Sequence, residues 1–171
     1  HYSYISATFR TPLILNNPNN STAQPIQCPT CTDIQVTPGN RIPGIPRHLL
    51  KLRAAYRYSD NLSAGLNLFA ASGQYARGDE NNLDVNGPVP GYAVVNVDAR
   101  YHVAPNLELF GTISNVFNRQ YHTFGLLGQN VFTAPGNAFD YTGASFRPEQ
   151  FRAAAAPRAA WIGIAYRFSS K

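Results

Sequence analysis

The last ten residues, IGIAYRFSSK (162–171), decide the fold, because the chain has written almost the same ending twice before. LRAAYRYSDN (52–61) and VDARYHVAPN (97–106) are also alternating runs that arrive at aromatics and then break into a turn or a polar tail. Alternation of apolar and polar residues is the signature of a half-buried strand. From His48 to Tyr58, Leu50, Leu52, Ala54, Tyr56 and Tyr58 alternate with Leu49, Lys51, Arg53, Ala55 and Arg57, giving an apolar face and a largely cationic one. Leu62, Ala64, Leu66, Leu68 and Ala70 continue the pattern against Ser63, Gly65 and Asn67. Ala93, Val95, Val97, Ala99, Tyr101 and Val103 oppose Asn96, Asp98, Arg100 and His102, and Leu107, Leu109 and Ile113 oppose Glu108, Thr112 and Ser114. Ala160, Ile162, Ile164, Tyr166 and Phe168 form the apolar side of the last run. With a short first strand in HYSYISATF (1–9), the pattern predicts six strands.

The connections have two characters. SDN and APN reverse the chain within a few residues, with Asp, Asn and Pro suited to tight turns. Residues 11–47, 76–91 and 123–157 are long and crowded with Asn, Gly, Pro and Ser. Short turns at one end and long loops at the other are the pattern of outer-membrane barrels. The three aromatic endings all run toward the short-turn end and lie on the apolar face, which suits a bilayer interface. Lys51, Arg53, Arg57, Asp98, Arg100 and Glu108 on the other face suit a wet lumen and would be costly in a dry sandwich. The expected fold is therefore all-β: an antiparallel transmembrane β-barrel fragment, an open curled sheet with long extracellular loops. Barrels begin at about 8 strands, so six are not expected to close. The segment 2–9 and the segment 160–168 should form the two edges, and Leu66, Val95, Val97, Leu109, Ile162 and Ile164 should share one face.

Composition agrees. Of 171 residues 44% are hydrophobic, 12% aromatic and 13% charged, and no apolar run reaches the ~18 residues of a membrane helix. The net charge of +5 is spread singly along the chain, which argues against nucleic acid as a partner. The chain opens at His1 without a signal-like segment and reads as a piece of something longer.

Five blocks, GNRIPGIPRHLLKLRAAYRY (39–58), SGQYARGDENN (72–82), PGYAVVNVDARY (90–101), LELFGTISNVFNRQYHTFG (107–125) and PRAAWIGIAYRF (157–168), resemble in order and spacing the C-terminal end of TonB-dependent outer-membrane receptors. SNVFNRQY (114–121) is similar to that family's Asn-Leu-Phe-Asp/Asn-Arg-x-Tyr segment. The resemblance implies that residues 1–171 are the C-terminal part of a barrel of about 22 strands, in the outer membrane of a Gram-negative bacterium. It implies an importer of a scarce nutrient, most readily a ferric siderophore, with no enzymatic activity and no cofactor. It also implies partners: outer-membrane lipid, a plug domain, the remaining barrel strands, the TonB complex and the barrel-assembly machinery. Nothing in these residues matches a plug or a TonB box. Ile162, Ile164, Tyr166 and Phe168, with Ala160, correspond to the assembly signal, although Ser169, Ser170 and Lys171 follow the usual terminal Phe. A small structural barrel or adhesin acting through its loops, and a soluble β-sheet binding protein, are the rival readings.

Cys28 and Cys31 form CPTC, readable as a redox motif, half a zinc site or a disulfide stapling an extracellular loop, and the oxidising compartment favours the disulfide. His1, His48, His102 and His122 do not pair at metal-ligand spacings. Arg77-Gly78-Asp79 spells an adhesion motif, but a three-residue match recurs by chance and loop structure is the plainer reading. Loop-borne Tyr75, Arg77, Tyr121, His122, Phe132, Tyr141 and Arg147 are the candidate substrate contacts, since loops on a rigid barrel carry binding diversity.

Overall fold

The computed structural model describes residues 1–168. Its ten strands are β1 (Tyr2–Tyr4), β2 (Leu13–Asn16), β3 (Asp33–Val36), β4 (His48–Arg57), β5 (Leu62–Ala71), β6 (Tyr92–Ala104), β7 (Leu107–Ser114), β8 (His122–Asn130), β9 (Arg147–Ala154) and β10 (Ala159–Tyr166). Six of them form one antiparallel sheet in the order β1-β4-β5-β6-β7-β10, with β1 and β10 at its two edges. The sheet is open, as the strand count requires.

Register puts the two faces in line across every wall strand. Ala54 opposes Leu66, Leu66 opposes Val97, Val97 opposes Ile113 and Ile113 opposes Ala160. Leu68 faces Val95, Tyr101 faces Leu109, and Leu109 faces Ile164. Directly opposed residues in an antiparallel pair share a face, so the six residues expected together are together. On this face Ile162 is 89% exposed and Ile164 69%. Water would not tolerate so much bare apolar surface, whereas a bilayer covers it. Tyr58 donates its amide to Leu62, the partner of Tyr101, so these two aromatics lie near one level; Tyr101 also pairs with Leu109, and Tyr166 pairs with Leu107, two residues nearer the short turn. At the opposite end Tyr2 and Tyr4 flank His48, and the Tyr2 hydroxyl lies 2.8 Å from His48 Nδ1.

Two expectations change in detail. The first strand stops at Tyr4 rather than continuing to Phe9. Residues 5–9 still run antiparallel to 39–47 through Ile5–Arg47, Ile42–Ala7 and Phe9–Asn40 backbone bonds. Pro43 and Pro46 in the partner segment have no N–H to donate, so the ladder is interrupted there. The long connections also hold strands of their own: β2 pairs β3, and β8 pairs β9 within the span expected to be loop, leaving residues 131–146 as the connection between them. The buried apolar cluster of Ala76, Val89 and Leu127 sits among these outer elements, not in the wall. Gly125 makes that docking possible, since a Cβ there would stand 2.3 Å from Val89 Cγ2.

Candidate functional site

The lumen face of the wall is polar and cross-linked. Arg53 donates to Asn67 at 2.8 Å and reaches Asp98 at 3.4 Å, and Asn67 donates to the same carboxylate. Arg100 and His102 both approach Glu108, at 3.0 and 3.7 Å. Lys51 lies over the Phe69 ring at 5.3 Å. Phe69 faces Tyr92, and Tyr92 packs 4.5 Å from Tyr121, so an aromatic ladder climbs the wall toward the loops.

Above the wall, the segment 76–89 links the other loops. Arg77 donates its amide to Gly125 and accepts from Leu127, forming a parallel bridge to β8, while Gln74 and Val89 exchange backbone bonds. Asn115, buried and at φ 51°, ties the end of β7 to the approach of β10 by donating to Arg119 and Ala156 carbonyls and accepting from Arg119. Asn118 Oδ1 accepts the Arg158 amide. The SNVFNRQY block is thus the joint at which the wall hairpin β7–β10 continues outward as β8–β9.

The seven candidate contacts fall into separate places. Phe132 and Tyr141 meet around Phe139 at the β8–β9 tip, with ring centroids 6.2 and 5.1 Å from it, and Phe146 packs on the same ring. Tyr141 is 92% exposed. Arg147 opens β9 and pairs with Glu149 at 2.7 Å. Tyr121 and His122 lie lower, where β8 begins, with Tyr121 against Tyr92. Tyr75 is covered by the Arg41 guanidinium at 5.3 Å, and the Arg77 side chain is exposed. Sequence reasoning missed Phe139, Phe146, Phe69 and Tyr92, whose aromatic spacing in FDYTGASF (139–146) and in the strands offered no signal separate from packing.

The tip is held by Asp140. Its carboxylate accepts from the amide and hydroxyl of both Thr142 and Ser145, which keeps its acidity far stronger than that of an ordinary carboxyl. The Ser145 and Thr142 hydroxyls are the leading causes.

Cys28 and Cys31 are joined as a disulfide across a turn in which the Cys31 amide donates to Cys28 O, between β2 and β3. Among the described residues there is no group of three or more His, Cys, Asp or Glu able to hold a metal. The adhesion motif fails on geometry, because Asp79 is 0% exposed and cannot be presented to a partner. Ile162, Ile164 and Tyr166 lie on the apolar face of β10; Phe168 lies past its end, its ring 4.7 Å from Tyr166.

Residues 1–116 match the family model described as "TonB dependent receptor-like, beta-barrel". Among curated proteins, the "Metal-pseudopaline receptor CntO" of Pseudomonas aeruginosa is 27% identical over 110 residues, 64% of this chain and 15% of that protein. The "Probable TonB-dependent siderophore receptor PiuA" of Acinetobacter baumannii is 30% identical over 108 residues, 63% of this chain and 14% of that protein. The crystal structure of the siderophore receptor PiuA from A. baumannii superposes with a TM-score of 0.58 at 20% identity, over 82% of this chain and 16% of that one. The ferric yersiniabactin uptake receptor FyuA from Yersinia pestis gives 0.50 at 19%, over 77% and 18%. At these identities the structural likenesses establish the fold alone. The chain spans about 15% of the length of the curated relatives it matches.

Proposed function

Since this chain belongs to the TonB-dependent receptor family, whose β-barrels reside in the Gram-negative outer membrane, we propose that residues 1–171 form the C-terminal wall and outer loops of a receptor that imports a ferric siderophore. The family and fold are those of transport receptors rather than enzymes. The observation that carries the reading is the face split held in register across the six wall strands, interrupted only by the irregularity between His102 and Ala104 at the turn end of β6. One side is apolar; the other presents Lys51, Arg53, Arg57 and Arg100 to the lumen against Asp98 and Glu108, which pair with Arg53 and Arg100, so the surplus is the two cations Lys51 and Arg57, a positive bias that favours an anionic ferric chelate over a neutral solute. The similarity to PiuA, a probable siderophore receptor, supports that ligand class, while CntO, a metal-pseudopaline receptor, supports the broader class of metal chelates.

In this reading the outer loops capture the chelate, with the Phe132–Phe139–Tyr141–Phe146 tip as a contact surface. Tyr121, His122, Tyr75, Arg77 and Arg147 line the way down. A plug domain fills the complete barrel, and TonB-driven rearrangement of that plug releases the ligand inward. Ile162, Ile164, Tyr166 and Phe168 guide insertion by the assembly machinery. The test is uptake of radiolabelled ferric chelates by cells with and without the intact receptor, before and after collapse of the proton-motive force. Receptor-dependent, energy-dependent uptake of a siderophore complex is expected. Uptake that ignores the proton-motive force, or none across catecholate, hydroxamate and carboxylate chelates, would overturn it.

A further inference from the structure

The loop hub contains a carboxylic acid that neither the wall nor the tip explains. Asp79 is fully buried; its Oδ1 accepts the Asp84 amide at 3.0 Å, while Oδ2 is buried without a hydrogen-bond partner. The residues around it grip two other segments. Gly78 O accepts the side-chain amides of Asn17 and Asn20, and Asn81 accepts from Asn20 and donates to Thr22 Oγ1. Asp84 Oδ2 accepts the Ser21 amide, and Ser21 Oγ accepts the Val85 amide. Asn82, at φ 62°, exchanges two bonds with the Arg41 backbone and donates to Asp79 O. Residues 78–86 therefore clasp 17–22 and Arg41, with Asp79 at the centre of the clasp.

We propose that Asp79 is a proton-operated clasp of the outer loop layer: neutral, it holds residues 17–22 and Arg41 against 78–86; ionised, it repels Asp84 and loosens them. The charges facing it are all negative. Asp84 and Glu80 come from its own segment, and residues 17–22 contribute only Asn, Ser, Thr and Pro side chains. The Arg41 guanidinium is directed to Ile45 O, Gly73 O and the Tyr75 ring, and the Arg77 side chain is exposed. From β8 the neighbours are Gly125 and Leu127, which bond the Arg77 backbone. Burial first, then the Asp84 and Glu80 charges, raise the Asp79 pKa to about 6, against the opposing pull of the Asp84 and Leu83 amides. A carboxyl that binds its proton more tightly in the closed state stabilises that state below its ordinary value of 3.8 and progressively ceases to as the pH rises through about 6. The Asp79 contribution to holding the layer is thus largest below 3.8, partly retained at pH 5 and lost by pH 8. This inference stands whichever ligand the receptor takes.

Hydrogen exchange on the intact receptor in detergent micelles, from pH 5 to pH 8 and corrected for intrinsic chemical rates, tests it. With values of 3.8 open and about 6 closed, the open clasp should be about tenfold more populated at pH 8 than at pH 5, read in peptides spanning 17–24 and 79–87. Asp79→Asn should abolish the pH step, and Asp84→Asn should move it to lower pH by removing the like charge. Wall peptides from β5 and β6 serve as the pH-independent reference. A flat wild-type profile, or an undiminished step in Asp79→Asn, overturns the proposal. Should Asp79→Asn leave the clasp open at every pH, Asp84→Asn decides: a step unmoved from wild type is also refuting.

Discussion

Exchanging the character of two adjacent residues, Val97 and Asp98, is the most direct test of which face meets lipid. Val97 lies midway along β6, in register with Leu66 on one side and Ile113 on the other. An arginine there would sit in the apolar band near the bilayer centre, and Val97→Arg should cost about 2–4 kcal/mol. Asp98→Arg removes the contacts to Arg53 at 3.4 Å and Asn67 at 3.2 Å and sets two cations together. The Arg53 side chain is 58% exposed, so the pair is screened and contributes under about 1 kcal/mol, and the new repulsion is of similar size. The expected loss is therefore about 1–2 kcal/mol, clearly below that at Val97. Urea titration of the intact receptor folded into lipid vesicles, followed by tryptophan fluorescence and extrapolated linearly, measures both. Equal losses, or a larger loss at Asp98, would refute the face assignment.

Other substitutions probe the wall and the loops. Gly163→Ala should cost about 1 kcal/mol, because a Cβ would meet the Phe110 ring at 2.3 Å, and Phe110→Ala in the same chain should erase the penalty in a double-mutant cycle. Asn115→Ala should cost about 2–3 kcal/mol in urea unfolding by orphaning the Arg119 and Ala156 groups and forcing alanine to positive φ; Asn115→Gly should recover about 1 kcal/mol of that. Asp140 is the converse of Asp79: its depressed pKa makes its contribution present above the ordinary value of 3.8 and lost only in strong acid. Exchange in a peptide spanning 138–147 should consequently stay flat from pH 8 to pH 4, and a rise across that range would contradict the Ser145 and Thr142 bonding.

The wall was legible because each of its residues answers to one of two solvents. Leu66 and Asn67 need no knowledge of distant partners to declare their faces, and the period-2 pattern carries through register into the sheet. The β8–β9 hairpin escaped because it has no such contrast. Its inward face holds Gly125 and Leu127, its outward face Phe124 and Leu126, so apolar residues fall on both and alternation vanishes. Asp79 escaped for a different reason. Its burial depends on Ser21, Asn20 and Arg41, roughly forty to sixty residues away in sequence, and an acidic Asn-rich stretch looks like any solvated loop until those partners are in place. For the candidate contacts, residue type singled out Phe132 and Tyr141, but only the fold reveals that Phe139 joins them.

The open sheet also sets a condition on when this chain can occupy a membrane. β10 is eight residues long and pairs only with β7, so about four of its N–H groups and about four of its carbonyls point away from the sheet. On the other edge β1 pairs only with β4. Each such group left unpaired in hydrocarbon costs several kcal/mol, and the total exceeds the roughly 5–15 kcal/mol that stabilises an ordinary domain. The isolated chain 1–171 should therefore neither insert as a stable monomer nor transport, and in the receptor proposed above both edges would pair with neighbouring strands. Refolding the isolated chain with lipid vesicles, then measuring protease protection and heat-dependent gel mobility, is the check. Stable protected monomers would mean that β1 and β10 find each other after all, and the receptor-wall reading would lose its main structural consequence.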